Sequence, residues 1–148
     1  MNETKLKRFE DENSEKLPFQ ELKGEELKTF IKVINDTTKF DGSSCADFYK
    51  HINTIMQNDI ECDDIDDPDL FVKICKVLNL GVSLDNIDSY VIGYYPNEVD
   101  KFQIQTLKKW WEYIWYSMGD DAIIVAIPNK DLMILFTHHG DVKYQNFP

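Results

Sequence analysis

Apolar positions in the first half of the chain recur every three or four residues, the spacing that places them on one face of a helix. Three such stripes predict three amphipathic helices: Leu27, Phe30, Ile31 and Ile34; Phe48, Ile52, Ile55 and Met56; and Leu70, Phe71, Ile74, Val77 and Leu78. Ser44 suits the N-cap of the second helix. Asp67 followed by Pro68 predicts the start of the third helix, and Gly81 predicts its end.

The second half of the chain changes to short apolar runs separated by turn residues, a pattern that is typical of strands. The runs predict strands at residues 90–95, 113–116, 122–127, 132–137 and 142–147. Between them, we favour a helix over residues 97–112, although the alternation at residues 102–105 also fits a strand. The connections between the last strands are too short for parallel crossovers, so we expect antiparallel neighbours.

Together these elements predict an α+β fold in which N-terminal helices pack on a C-terminal antiparallel β-meander of about four to five strands, in two layers. Residues 18–148 are expected to form a single domain. Residues 1–17 are mostly charged and show no periodic apolar face, which predicts a mobile N-terminal arm or an exposed helix. Residues 122–127 and 132–137 are apolar at nearly every position, so we expect those two strands to be covered on both faces or central in the sheet.

Composition narrows the class of protein. Of the 148 residues, 43% are apolar, which is enough for a folded core. The longest apolar stretch, residues 122–127, is far shorter than the roughly 20 residues that cross a bilayer. The first residues show no hydrophobic signal region, and the three cysteines have no metal-binding or obvious disulfide spacing. We therefore expect a soluble cytoplasmic protein with free thiols.

Charge is the most unusual property of the chain. The 27 acidic and 16 basic residues give a formal net charge of −11, which disfavours nucleic acid and anionic membranes as partners. Most of that charge lies in residues 59–69, which hold seven carboxylates and no basic residue. This run, called the acidic segment below, fits a solvated loop that caps the next helix. It fits a calcium loop poorly, since Asp64 and Leu70 stand where an EF-hand needs Gly and Glu.

A third interpretation makes the acidic segment a docking surface for a basic protein. Clustered like charge speeds encounter with an oppositely charged partner, and it costs folding energy, which suggests a use. The candidate partner-binding carboxylates are Asp59, Glu61, Asp63, Asp64 and Asp66. We favour a core role for the aromatic residues of this region; Trp110 and Trp111 are candidate apolar anchors if one of them is exposed, because Trp is enriched among interface hot spots.

A different class of function uses the histidines. His138, His139 and Asp141, with Asp120 or Asp121, could act as acid and base or hold a metal in a small hydrolase. Against it, adjacent residues on a strand point to opposite faces. No nucleophile, phosphate-loop or zinc motif accompanies them, so we expect no cofactor and no metal.

In size, charge and expected architecture, the chain resembles the immunity proteins that protect bacteria from secreted toxins, many of which are basic nucleases. The resemblance carries no site residues, and it implies a non-enzymatic protein that neutralises a basic partner. A phage-type inhibitor that mimics nucleic acid has the same charge signature. A third alternative is a self-associating adaptor in which the Trp-rich region pairs with a second copy; the sequence does not fix the oligomeric state.

Overall fold

The computed structural model describes residues 1–148 as five helices and one seven-stranded antiparallel sheet. The helices are α1 (Glu3–Asn13), α2 (Gly24–Thr38), α3 (Cys45–Ile55), α4 (Leu70–Val77) and α5 (Ile104–Ile114). The strands are β1 (Gln20–Glu21), β2 (Asn58–Ile60), β3 (Asp88–Tyr94), β4 (Glu98–Gln103), β5 (Ala122–Ile127), β6 (Leu132–Thr137) and β7 (Val142–Asn146). The predicted α+β class is confirmed.

The sheet has more strands than the four to five predicted. Its order is β1-β4-β3-β5-β6-β7-β2, so only β5, β6 and β7 form a simple meander. The pattern missed three strands. β1 and β2 have two and three residues and are too short to show alternation, and β4 falls within the predicted helix over residues 97–112. Because β2 pairs with β7, the last strand of the chain does not lie at an edge of the sheet.

Residues 97–116 differ most from the prediction. The expected helix over residues 97–112 is divided, because β4 occupies residues 98–103 and α5 begins at Ile104. Residues 113–116, predicted as a strand, contain the end of α5, which Trp115 closes by donating its backbone N–H to the Trp111 carbonyl. The alternation at residues 102–105 therefore came from the end of β4, in a stretch whose apolar spacing otherwise predicts a helix.

Helices cover both faces of the sheet instead of one. On one face Ile123, Val125, Ile134 and Phe136 pack with α1, α4 and α5. On the other face Ile92, Ile124 and Leu135 pack with α2 and α3. The fold thus has three layers, where the sequence predicted two. The continuous apolar runs of β5 and β6 are covered on both faces, as their composition predicted.

Helix α1 occupies the segment expected to be a mobile arm or an exposed helix. Phe9 of α1 is fully buried and packs edge-on against Trp110 and Tyr113 of α5, with ring centroids 4.9 and 5.1 Å away. Leu17 is also buried in the same core. A single large aromatic residue makes this contact, so no periodic apolar face was available to predict it.

The caps of the predicted helices are only partly as expected. Ser44 caps α3 by accepting a hydrogen bond from the Asp47 backbone N–H at 3.1 Å, as predicted. Helix α4 begins at Leu70 after an extra turn, so Asp67 is not its N-cap. The helix ends at Val77, before the predicted end at Gly81. Asn79, and not Gly81, adopts the left-handed conformation that commonly follows a helix, since Asn also tolerates a positive φ.

Candidate functional site

The acidic segment connects β2 to α4, and part of its charge is used to shape its own backbone. Asp64 Oδ1 accepts a hydrogen bond from the backbone N–H of Asp66 at 3.0 Å. Asp67 Oδ1 accepts one in the same way from Asp69 at 2.9 Å. Two such turns in succession hold the chain in a compact path before α4 begins.

The acidic segment is also fastened to the connection between α5 and β5. The Asp66 carboxylate accepts hydrogen bonds from the backbone N–H of Ser117, at 2.9 Å, and from the Ser117 hydroxyl. One residue earlier, the indole Nε1 of Trp115 donates to the carbonyl oxygen of Ile65 at 2.9 Å. These contacts join positions about 50 residues apart in the chain, so no local pattern could have predicted them.

One carboxylate of the segment has a basic partner from the same chain. Asp67 forms a salt bridge with Lys73 of α4, and the hydrogen bond from Lys73 holds the pKa of Asp67 below its usual value. The same hydrogen bond raises the pKa of Lys73. The negative charge of Asp67 is therefore partly neutralised by Lys73, and less of it is available to a partner than the sequence suggested.

Of the five predicted partner-binding carboxylates, three are exposed and accept neither a hydrogen bond nor a salt bridge: Asp59, Glu61 and Asp63. Glu61 and Asp63 lie on the rim of a small hollow of about 220 Å³. Its apolar lining includes Ile74 and Val77, and Val77 is 62% exposed. Its polar lining holds four carboxylates and one cation, Lys73, which is paired with Asp67. An apolar floor beside a surplus of carboxylates suits the long aliphatic stem and charged end of a further Lys or Arg side chain.

The predicted partner-binding carboxylates are therefore divided in role. Asp59, Glu61 and Asp63 point their charge to solvent, as a docking surface requires. Asp64 and Asp66, which belong to the same predicted set, hold the fold of the segment through the hydrogen bonds described above.

The predicted tryptophan anchors lie inward. Trp111 is only 1% exposed and packs against Phe71 and Phe136, with ring centroids 5.1 and 4.7 Å away. Trp110 is half-buried against Phe9. Helix α5 lies between α1 and α4, so it is covered over a face wide enough to take both tryptophans. The surface role expected for Trp111 is wrong in this fold.

The histidine candidates line a separate cleft of about 650 Å³ at one end of the sheet. His138 and His139 follow the end of β6, so they are not held on opposite faces and their rings lie 3.9 Å apart. Asp120 and Asp121 line the same cleft, whereas Asp141 does not. The cleft thus brings together four of the five residues named for a hydrolase.

The carboxylates of that cleft are not arranged as partners for the histidines. Asp120 binds Lys5 Nζ at 2.8 Å and the Tyr116 backbone N–H at 2.9 Å. His138 Nδ1 lies 2.9 Å from the backbone carbonyl oxygen of Asp121, not from its carboxylate. No group of three or more His, Cys, Asp or Glu residues is placed to hold a metal ion. The cleft therefore offers neither a metal site nor a histidine–carboxylate pair for acid–base chemistry.

Two further results bear on function. No helix has the length and apolar character needed to pass through a bilayer. Comparison of the chain with models of protein families, with curated proteins and with solved structures returned no match.

Proposed function

We propose that this protein is a binding module whose acidic segment receives the cationic surface of a protein partner. The observation that carries the proposal is the display of Asp59, Glu61 and Asp63, exposed and without salt bridges, on a segment whose remaining contacts fix its shape. Because the backbone of the segment is already fixed, it does not have to be ordered when the partner arrives.

The physical advantage of such a surface lies mainly in the rate of association. Clustered carboxylates attract a basic protein over about one Debye length, roughly 8 Å at physiological salt, and so increase the productive encounters. The small hollow beside Val77 supplies apolar contact for a bound Lys or Arg stem. Long-range attraction followed by short-range desolvation of a few pairs is how charged interfaces obtain both speed and specificity.

Within this proposal the partner is a basic toxin, and the protein acts in the cytoplasm as an immunity protein that neutralises it. A phage-type inhibitor of a nucleic-acid-binding enzyme is a close variant, because it uses the same acidic surface. The net charge of −11 supports a basic protein over nucleic acid as the occupant.

The test removes the three displayed charges without touching the carboxylates that shape the segment. The variant carries Asp59→Asn, Glu61→Gln and Asp63→Asn. The control carries Glu10→Gln, Asp11→Asn and Asp41→Asn, which removes the same net charge from exposed positions elsewhere. The partner is the basic protein that the wild-type chain retains from a lysate of its host at low salt and releases as the salt is raised, once it has been identified and purified.

Association is followed by stopped-flow fluorescence at several salt concentrations. We expect the on-rate of the acidic-segment variant to fall about tenfold at low salt, with a flatter dependence on salt. The control variant should lose no more than about twofold. Equal on-rates for the two variants would overturn the proposal.

A further inference from the structure

A groove on the face of the sheet opposite the acidic segment has apolar walls that no element of the chain covers. Its volume is about 550 Å³. Tyr90, Ala126 and Met133 lie at its bottom, directly opposite one another on β3, β5 and β6; Tyr90 is half-buried, and Ala126 and Met133 are only 2% and 3% exposed. Helix α2 forms one wall, and Phe147 lines the groove near the C-terminus.

The wall formed by α2 is more apolar than its packing requires. Phe30 stacks on Tyr90 with ring centroids 4.7 Å apart, and Ile34 is buried beneath it. Val33 also lines the groove, yet it is 55% exposed. A β-branched apolar residue gains little from helix propensity or solvation at an exposed helical position, so its side chain is available for contact with another molecule.

The length of the groove matches a helical partner. The lining residues of α2 run from Glu25 to Thr37, which corresponds to about 18 Å along the helix axis at 1.5 Å per residue. This is about three turns, enough for the apolar side chains that an amphipathic helix places at positions i, i+3 or i+4, and i+7.

The negative charge on the rim of the groove favours a helix with basic residues on the flanks of its apolar face. Glu25, Glu26 and Asp131 lie among the lining residues, and no Lys, Arg or His does. Glu25 has a weak exposed pair with Lys28 at 3.5 Å, whereas Glu26 and Asp131 form no salt bridge. An occupant with anionic flanks would be repelled, and one with Lys or Arg beside its apolar face would pair with these carboxylates.

We propose that the groove between α2 and the sheet binds an amphipathic helix of a protein partner, whose apolar side chains contact Val33, Tyr90 and Phe147 and whose flanks are basic. This site is independent of the acidic segment, since it lies on the other face of the sheet and is formed by different elements. The groove offers exposed apolar side chains to a partner, whereas Trp111 is buried.

The probe is a fluorescein-labelled synthetic peptide of about four helical turns, with Leu on one face and Lys on both flanks. A second peptide has the same composition in an order that forms no apolar face. Binding is measured by fluorescence anisotropy at about 150 mM salt, so that nonspecific attraction to the acidic protein is screened. We expect the amphipathic peptide to bind at least about tenfold more tightly than the scrambled one.

The variants place one new cation inside or outside the groove. Val33→Lys introduces it on the exposed wall, and Val82→Lys introduces it at a residue that is 83% exposed in the turn before β3. Both positions are exposed, so both variants should fold, as circular dichroism will check. We expect Val33→Lys to weaken peptide binding at least about tenfold and Val82→Lys by less than about twofold.

Each contrary outcome overturns the inference in a different way. Equal binding by the Val33→Lys and Val82→Lys variants, or by the two peptides, removes the groove as the site. Loss of binding only in the Asp59, Glu61 and Asp63 variant would assign the peptide to the acidic segment and leave the proposed function standing. Loss of peptide binding only in the Val33→Lys variant supports the groove as the site, and it does so even if the function proposed for the acidic segment fails its own test.

Two other occupants have their own signatures. Sedimentation of a wild-type dimer that Val33→Lys dissociates would identify a second copy of this chain as the occupant. Displacement of the neutral dye Nile red from the groove by small apolar molecules but not by the amphipathic peptide would identify a small-molecule site. Either result overturns the proposed helical partner.

Discussion

Asp100 provides the sharpest test of the energetics of this fold. It lies on β4, is only 2% exposed, and stands opposite Glu21 of β1 and Val91 of β3. Its carboxylate oxygens lie 3.2 and 3.1 Å from the amino group of Met1. Burial raises the pKa of Asp100 to about 6; the Met1 ammonium opposes this rise, and Glu98 and Glu21 add to it.

The sign of the effect on stability follows from that pKa. The folded state holds the Asp100 proton more tightly than the unfolded chain, where the pKa is 3.8. Between these values the folded state binds more protons, so the free energy of unfolding falls as pH rises. The shift of about two units corresponds to about 3 kcal/mol lost by neutral pH, and roughly half of that loss falls between about pH 5 and pH 7.5.

The perturbation is Asp100→Asn, which removes this titration. We expect the stability of the variant relative to the wild type to increase from pH 5 to pH 7.5, by about 1–2 kcal/mol. Urea unfolding followed by tryptophan fluorescence measures it, at pH values above the sequence pI of about 4.6. The control is Asp88→Asn, which removes an exposed carboxylate from the neighbouring strand β3.

Two results would refute this account. One is a stability difference for Asp100→Asn that varies with pH no more than the difference for Asp88→Asn. The other is a direct one, because the side-chain carboxyl carbon of Asp100 can be followed by NMR in the wild-type protein. A midpoint near or below 4 in that titration would show that burial does not dominate the pKa.

Three further substitutions test separate parts of the fold by chemical denaturation. Phe9→Ala should destabilise the protein by about 3–5 kcal/mol, because its fully buried ring joins α1 to α5; a cost below about 1 kcal/mol would favour the mobile arm. Trp111→Phe should cost less than Trp115→Phe, since the Trp111 Nε1 is buried without a partner whereas the Trp115 Nε1 bonds to Ile65; the reverse order would contradict this. Ser44→Ala should cost about 1 kcal/mol through loss of the α3 cap, and Ser44→Asp should restore most of it; equal stability of all three proteins would exclude a capping role.

The sequence was informative wherever local periodicity and tertiary packing agree. The apolar stripe of α2 and the cap at Ser44 appear in the fold as the residues predict, and so do β5, β6 and β7. It was misleading at residues 97–112, because the helical spacing of the apolar residues there continues across the end of β4. Strands of two or three residues give no alternation to read, so their pairing is decided by neighbours distant in the chain.

The candidate site was predictable only as a concentration of charge. Sequence order places seven carboxylates in one run, but it does not show that Asp66 bonds to Ser117 or that Asp67 pairs with Lys73. The apolar groove was not predictable at all, since Leu22, Tyr90, Met133 and Phe147 come from four distant parts of the chain. Residues that are brought together only by the pairing of strands share no local pattern in the sequence.

The division of labour within the acidic segment determines how its function must be tested. Neutralising the whole run would remove the hydrogen bonds of Asp64 and Asp66 together with the charges of Asp59, Glu61 and Asp63. A lower on-rate in such a variant would have two causes, a weaker field and a segment that no longer keeps its shape. Asp66→Asn separates them, because it changes the long-range field by one charge while weakening the contact with Ser117. If shape matters, Asp66→Asn should raise the dissociation rate more than it lowers the association rate, whereas removal of the displayed charges should act mainly on association.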